Sequence, residues 1–201
     1  MKFRKPVRVM SNRVCRALCA CWLLGVALLV AAPACAEETP ALELQVKAAF
    51  LVKFGMFVEW PAATSDVNAG APFLIGVLGK DPFGAFFDDA LKTEFIRERP
   101  MQLRRGDDVT TMEACQIVFI AAAGPSQQAE HLAHFSGKPV LTVGDSPDFA
   151  RRGGMIGFIK EDGKVRFEIN TGAAERAGLK ISSKLLKVGR IVTSEPTPSP
   201  Q

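Results

Sequence analysis

Cysteine and histidine are scarce in this chain of 201 residues: it has two histidines, and of its five cysteines only Cys115 lies beyond residue 36. One thiol closes no internal disulfide, so the remaining 165 residues must be held together by their core. A domain of that size buries roughly 70% of its unfolded-chain surface, enough to fold without covalent staples. Cys115 opens the apolar run Cys115-Gln-Ile-Val-Phe-Ile120. The run reads as a buried strand and the thiol as a small buried apolar group, with an intermolecular disulfide as the alternative.

The motifs of common catalytic sites are missing as well. Gly144-Asp145-Ser146-Pro147-Asp148 has aspartate where a nucleophile elbow needs its last glycine. His131 and His134 are three apart beside Glu130, which puts both on one helix face, but their order is not that of the metalloprotease helix. There is no Gly-x-x-x-x-Gly-Lys. Gly76-Val-Leu-Gly79 ahead of Asp81-Pro82 has the strand–loop–helix context of a phosphate site without Gly-x-Gly-x-x-Gly. The expectation is a non-enzyme with no catalytic residues, no metal ligands and no cofactor. An enzyme or metal protein using His131 and His134 is a minor alternative.

Acidic residues are absent from the first 36 positions, which carry six of the 25 Lys/Arg. Beyond them, 19 Lys/Arg face all 21 Asp/Glu, so the whole-chain charge of +4 becomes −2. A phosphate-tracking, nucleic-acid-binding protein is excluded by that balance. Basic residues to Arg16, an uncharged run from Ala17 to Ala32, and Pro33-Ala-Cys-Ala36 before Glu37-Glu38 form the secretory signal pattern. The run would span about 24 Å, short of the roughly 30 Å hydrocarbon core. No Arg-Arg pair marks the twin-arginine route. Residues 1–36 are therefore expected to be a signal peptide cleaved after Ala36, and the mature protein to be periplasmic. Retention as an anchor, or lipidation at Cys35, are the alternatives.

Residues 37–192 read as one α/β domain, and 193–201 as a disordered, proline-rich tail. Val46, Phe50, Phe54 and Phe57 recur at helical spacing, predicting a helix over Glu43–Trp60 that Pro61 ends. Phe73–Leu78, Gln116–Ala121 and Pro139–Val143 are continuous apolar runs, as strands covered on both faces require. Met101–Arg104 is a further short strand. Helices are expected from Asp81-Pro82 to Leu91 and over Ser126–Phe135. Alternating strands and helices imply a mainly parallel, helix-covered sheet. Met155–Lys160 and Lys164–Ile169 flank Glu161-Asp162-Gly163, a hairpin with one wet face bearing Arg166 and Glu168. Short helices follow from Thr171 and from Ser182-Ser183 to Val192.

Two surfaces suggest contact with a partner. Every charge between Glu175 and Glu195 is positive. In a helix, Lys180, Lys184 and Lys187 would lie near one face, with Leu185, Val188 and Val192 on another. Such a face suits an acidic partner or lipid headgroups, or is simply solvated. The second surface is the loop Asp148–Gly154 with Arg151 and Arg152. Its Gly153-Gly154 permits either a tight turn or close backbone approach. Arg151, Arg152, Lys180, Lys184 and Lys187 are thus the candidate partner-binding residues. A small-molecule sensor with its ligand near Asp81 or Asp145 is the alternative function.

Lys47-Ala-Ala-Phe-Leu-Val-Lys-Phe-Gly-Met-Phe-Val-Glu-Trp-Pro61 resembles the opening motif of YfiR-like proteins. Gly76–Gly84, Cys115–Ile120, Pro139–Asp145, Gly153–Phe158, Val165–Asn170 and Leu179–Leu186 continue the resemblance in order, from about Val46 to Val192. It implies a periplasmic repressor that binds the periplasmic region of an inner-membrane diguanylate cyclase and lowers cytoplasmic cyclic di-GMP. It further implies a homodimer, and an outer-membrane lipoprotein that sequesters the repressor. Family members often carry more cysteines; with Cys115 alone, the expected mature chain can form no internal disulfide for redox control.

Overall fold

Strands buried on both faces have no polar side to alternate with, and the continuous apolar runs of this chain form the centre of a single sheet. The computed structural model describes residues 40–61, 71–121 and 124–194; the expected leader and all but the first two residues of the expected tail lie outside them. In chain order the elements are α1 (Pro40–Phe57), β1 (Val58–Glu59), β2 (Phe73–Gly79), α2 (Ala85–Leu91), β3 (Phe95–Ile96), β4 (Arg99–Gly106), a 3-10 helix (Val109–Ala114), β5 (Ile117–Ala121), α3 (Pro125–Phe135), β6 (Leu141–Gly144), β7 (Ile156–Glu161), β8 (Lys164–Asn170), α4 (Thr171–Arg176), β9 (Lys180–Ile181), α5 (Ser183–Leu186) and β10 (Arg190–Val192). The large sheet has the order β10-β8-β7-β6-β5-β2-β4-β3. Strands β4, β2, β5, β6 and β7 are mutually parallel, and β7–β8 is the antiparallel hairpin. The expected single α/β domain with a mainly parallel sheet and a C-terminal hairpin is what the chain forms.

Register explains the core. Val77, Phe119, Val143, Ile156, Ile169 and Ile191 are successive cross-strand partners and therefore share a face. The first five are wholly buried with the residues of α1, α2 and α4. On α1, Phe54 meets Phe167 edge-on at 5.2 Å and Phe158 at 5.8 Å. The other face carries Leu78, Val118 and Ile120, covered by Met112 and Cys115 near the 3-10 helix, by Leu132 and Phe135 of α3, and by Phe149.

Four local expectations are corrected. α1 ends at Phe57 rather than Trp60, because Val58 pairs with Ile181 and Ser182 donates its N–H to the Phe57 carbonyl at 2.9 Å. α2 begins at Ala85 rather than Pro82. Asp81 does cap, but it caps a turn, accepting from the N–H groups of Phe83 and Gly84 at 2.7 and 3.2 Å. The last helix stops at Leu186, and Arg190–Val192 joins β8 as a parallel strand. Gly189 makes that possible, since a Cβ there would lie 2.6 Å from both Ile169 and Phe167. The hairpin face expected to be wet is dry at one end: Arg166 is exposed, whereas Glu168 and Asn170 are buried.

Lys47, an amphipathic cation within the apolar run of α1, is buried. Its ammonium donates to Glu43 at 2.8 Å and to Asp145, just after β6, at 2.9 Å. Lys160 of β7 reaches Glu43 at 3.3 Å. Burial depresses the Lys47 pKa, but the hydrogen bonds to Glu43 and Asp145 outweigh it and hold the group above its ordinary value. The hydrogen bond from Lys47 holds Glu43 below its ordinary 4.5. A depressed carboxylate stabilises the fold above its unfolded pKa, and that contribution is lost as pH falls through the folded value. Melting curves between about pH 5 and pH 3 should therefore show an acid-induced loss that is smaller in Glu43→Gln. Asp145→Asn should lower stability by about 1–2 kcal/mol at neutral pH, measured by urea denaturation.

Candidate functional site

In an open parallel sheet the natural ligand crevice lies at the C-terminal strand ends, where the strand order reverses. Here the chain runs from β2 to β4 on one side and then to β5 on the other, placing that point between β2 and β5. Gly79 pairs with Ala121 there, and with φ at +94° a Cβ on it would sit 2.6 Å from the Ala121 carbonyl oxygen, so the two strand ends approach closely. The two carboxylates expected near a ligand are engaged by cations of their own chain. Asp81 receives Arg105 Nε at 2.6 Å, and the same guanidinium grips Asp88 at 2.6 and 2.9 Å and the Gly84 carbonyl at 3.0 Å. The hydrogen bond from Arg105 holds Asp88 below the usual carboxylate range. Asp145 is engaged by Lys47. Both carboxylates are thus already paired with cations of the chain.

The two histidines do not act together. His134 Nε2 lies 2.7 Å from Glu113, and Lys138 meets the same carboxylate at 2.6 Å. Hydrogen bonds from Lys138 and His134 hold Glu113 below its ordinary pKa. His131 keeps a buried Nδ1 without a partner, and desolvation lowers its pKa. Among the described residues no three His, Cys, Asp or Glu side chains converge as a metal site. Cys115 is 2% exposed, and burial pushes its thiol up to about 11. It is the buried apolar group expected of it, although it follows the 3-10 helix and lies just ahead of β5 instead of opening the strand.

The loop 148–154 is built around Phe149, whose ring fills the face of the sheet beside β6. A Cβ on Gly144 or on Gly154 would overlap that ring, so Gly154 is there for close approach, while Gly153, with φ at +104°, makes the turn. The two loop arginines have different roles. Arg151 Nη2 donates to Glu168 at 3.1 Å, and the Glu168 side chain is only 7% exposed. Arg190 approaches the same carboxylate at 3.7 Å and also pairs with Glu161. Arg151 is therefore the counter-charge of a buried acid. Arg152 is exposed.

The three candidate lysines do not share a helix face. Lys180 lies on β9 opposite Glu59, Lys184 on the single turn α5, and Lys187 just after it. All three are exposed, and among the described residues none makes an ion pair. Sequence reasoning missed what lies beside them. Val188 and Ile191 are 65% and 56% exposed, and β10 is the outer strand of the sheet. The signal was present in two aliphatic residues within an all-basic stretch, but a helical reading hid it.

A sequence profile described as YfiR/HmsC-like matches residues 44–190. No curated protein matches the chain.

Replacing Arg151 by alanine leaves Glu168 short of a counter-charge and should lower stability by about 1–3 kcal/mol in urea titrations, whereas Arg152→Ala should stay within about 0.5 kcal/mol of the parent. Ellman's reagent should label Cys115 only after denaturation, and non-reducing gels should show no disulfide-linked dimer.

Proposed function

The chain belongs to the YfiR/HmsC-like family, and from that membership we propose that it is a periplasmic regulatory protein, not an enzyme, that represses a membrane-bound diguanylate cyclase. It binds the periplasmic region of the cyclase and lowers cyclic di-GMP in the cytoplasm. Residues 1–36 direct its export and are cleaved after Ala36. It works as a homodimer, and an outer-membrane lipoprotein sequesters it to release the cyclase. The family match over most of the chain is the observation that carries this reading. That Asp81 and Asp145 already hold Arg105 and Lys47 supports a binding protein over a small-molecule sensor.

Repression of this kind needs no catalytic group. It needs a surface with higher affinity for one conformation of the partner than for the other, since only differential affinity shifts an equilibrium. Holding an even equilibrium at 99:1 takes about 2.7 kcal/mol, which a modest interface supplies. The exposed cations Arg152, Lys180, Lys184 and Lys187 are the contact residues in this reading, and they suit an acidic partner. Arg151 contributes by holding the loop that presents Arg152.

Cellular cyclic di-GMP should rise when the gene is deleted in cells expressing the cyclase, and fall again only when the exported form is restored. Recovery by a leaderless form, or no change on deletion, would contradict periplasmic repression.

A further inference from the structure

Resting on the regulatory reading above, we infer that the outer edge of β10 is the docking element, and that it receives an extended acidic segment of a partner protein added as a further strand. The apolar row of the sheet stops there unfinished. Val77, Phe119, Val143, Ile156 and Ile169 are wholly buried, and the next residue of that row, Ile191, is 56% exposed. The opposite end of the row is sealed. Val77 pairs there with Arg105, whose charge is matched by Asp81 and Asp88, and β3 covers part of β4. One end of the row thus closes on an ion-paired arginine and the other ends on bare aliphatic carbon.

An outer strand leaves half of its N–H and C=O groups facing away from its neighbour. The cations in and just before β10 differ in commitment. Arg190 is held by Glu161 and Glu168. Lys184 and Lys187 are exposed and make no ion pair among the described residues, and Val188 beside them is 65% exposed. Backbone groups, two aliphatic anchors and two free ammonium groups are the parts that recognise an extended acidic segment with alternating apolar residues. A second copy of this chain fits less well, because it brings the same excess of positive charge, Lys184 and Lys187, to the seam. The chain's own tail fits less well too: Pro196, Pro198 and Pro200 have no N–H to donate to a ladder.

The purified full chain would be titrated with a fluorescent peptide of alternating glutamate and valine, followed by anisotropy and by amide chemical shifts. The expected result is binding that weakens with salt, with shifts centred on Arg190–Val192. Binding should fall by about tenfold or more in Lys184→Glu/Lys187→Glu and in Ile191→Ser, and when alternate peptide nitrogens are methylated. These side chains are exposed, so the variants should melt like the parent, which circular dichroism checks. Equal binding of a lysine–valine peptide or of the methylated peptide would overturn the proposal, as would absence of binding at millimolar peptide. Binding to phosphatidylglycerol vesicles in place of the peptide would assign the edge to a lipid surface. Dimerisation lost in Ile191→Ser would assign it to a second copy. The assay reads the purified protein alone, so its failure would leave cyclase repression standing, and an unchanged cyclic di-GMP level would leave strand addition standing.

Discussion

Strands β2, β5 and β6 bury nearly every side chain they carry, and a sheet with no wet face needs a layer on each side. That requirement shapes the rest of the molecule. One face is covered by the long helix α1 with α2 and α4. The other receives less helix, the 3-10 helix and α3, and the loop residue Phe149 fills the remainder against glycines 144 and 154. The stretch around Arg151 and Arg152 is thus tied to the core at one side chain and free at the next.

Charge is sorted by the same layering. Lys47 and Glu168 are buried and each holds two partners: Glu43, one turn away on α1, and the distant Asp145 around the lysine, and Arg151 and Arg190 around the acid. Removing one member of such a cluster strands the other in a poor dielectric, which makes these residues structural whatever else they touch. The cations left over, Arg152, Lys180, Lys184 and Lys187, have no such duty. A binding partner can engage them without putting the fold at stake.

The incomplete apolar row and the outer strand meet at the β10 edge of the sheet, and Lys184 and Lys187 precede that strand in the chain. An edge of this kind usually carries lysines to prevent self-association. Positive charge just before the strand that disfavours a second copy favours an acidic segment, so protection and recognition are compatible at one edge.

Much of this was legible in the sequence. The three apolar runs announced strands without a wet face, the Glu161-Asp162-Gly163 turn announced the hairpin, and the α1 stripe announced its aromatic packing, because each is a local period or a local turn. The apolar run from Cys115 likewise placed its thiol in the core. What only the tertiary structure decided depends on chain crossings with no local signature. Glu168 belongs to an alternating strand yet is buried, because β10 and the 148–154 loop close over it. Arg190–Val192 is too short for a period of its own, and it becomes a strand only because β8 offers an edge and Gly189 clears Ile169 and Phe167. A run of five cations reads the same in sequence whether its members are spent on buried acids or left in water. Their different fates follow from which carboxylates the folded chain brings within reach.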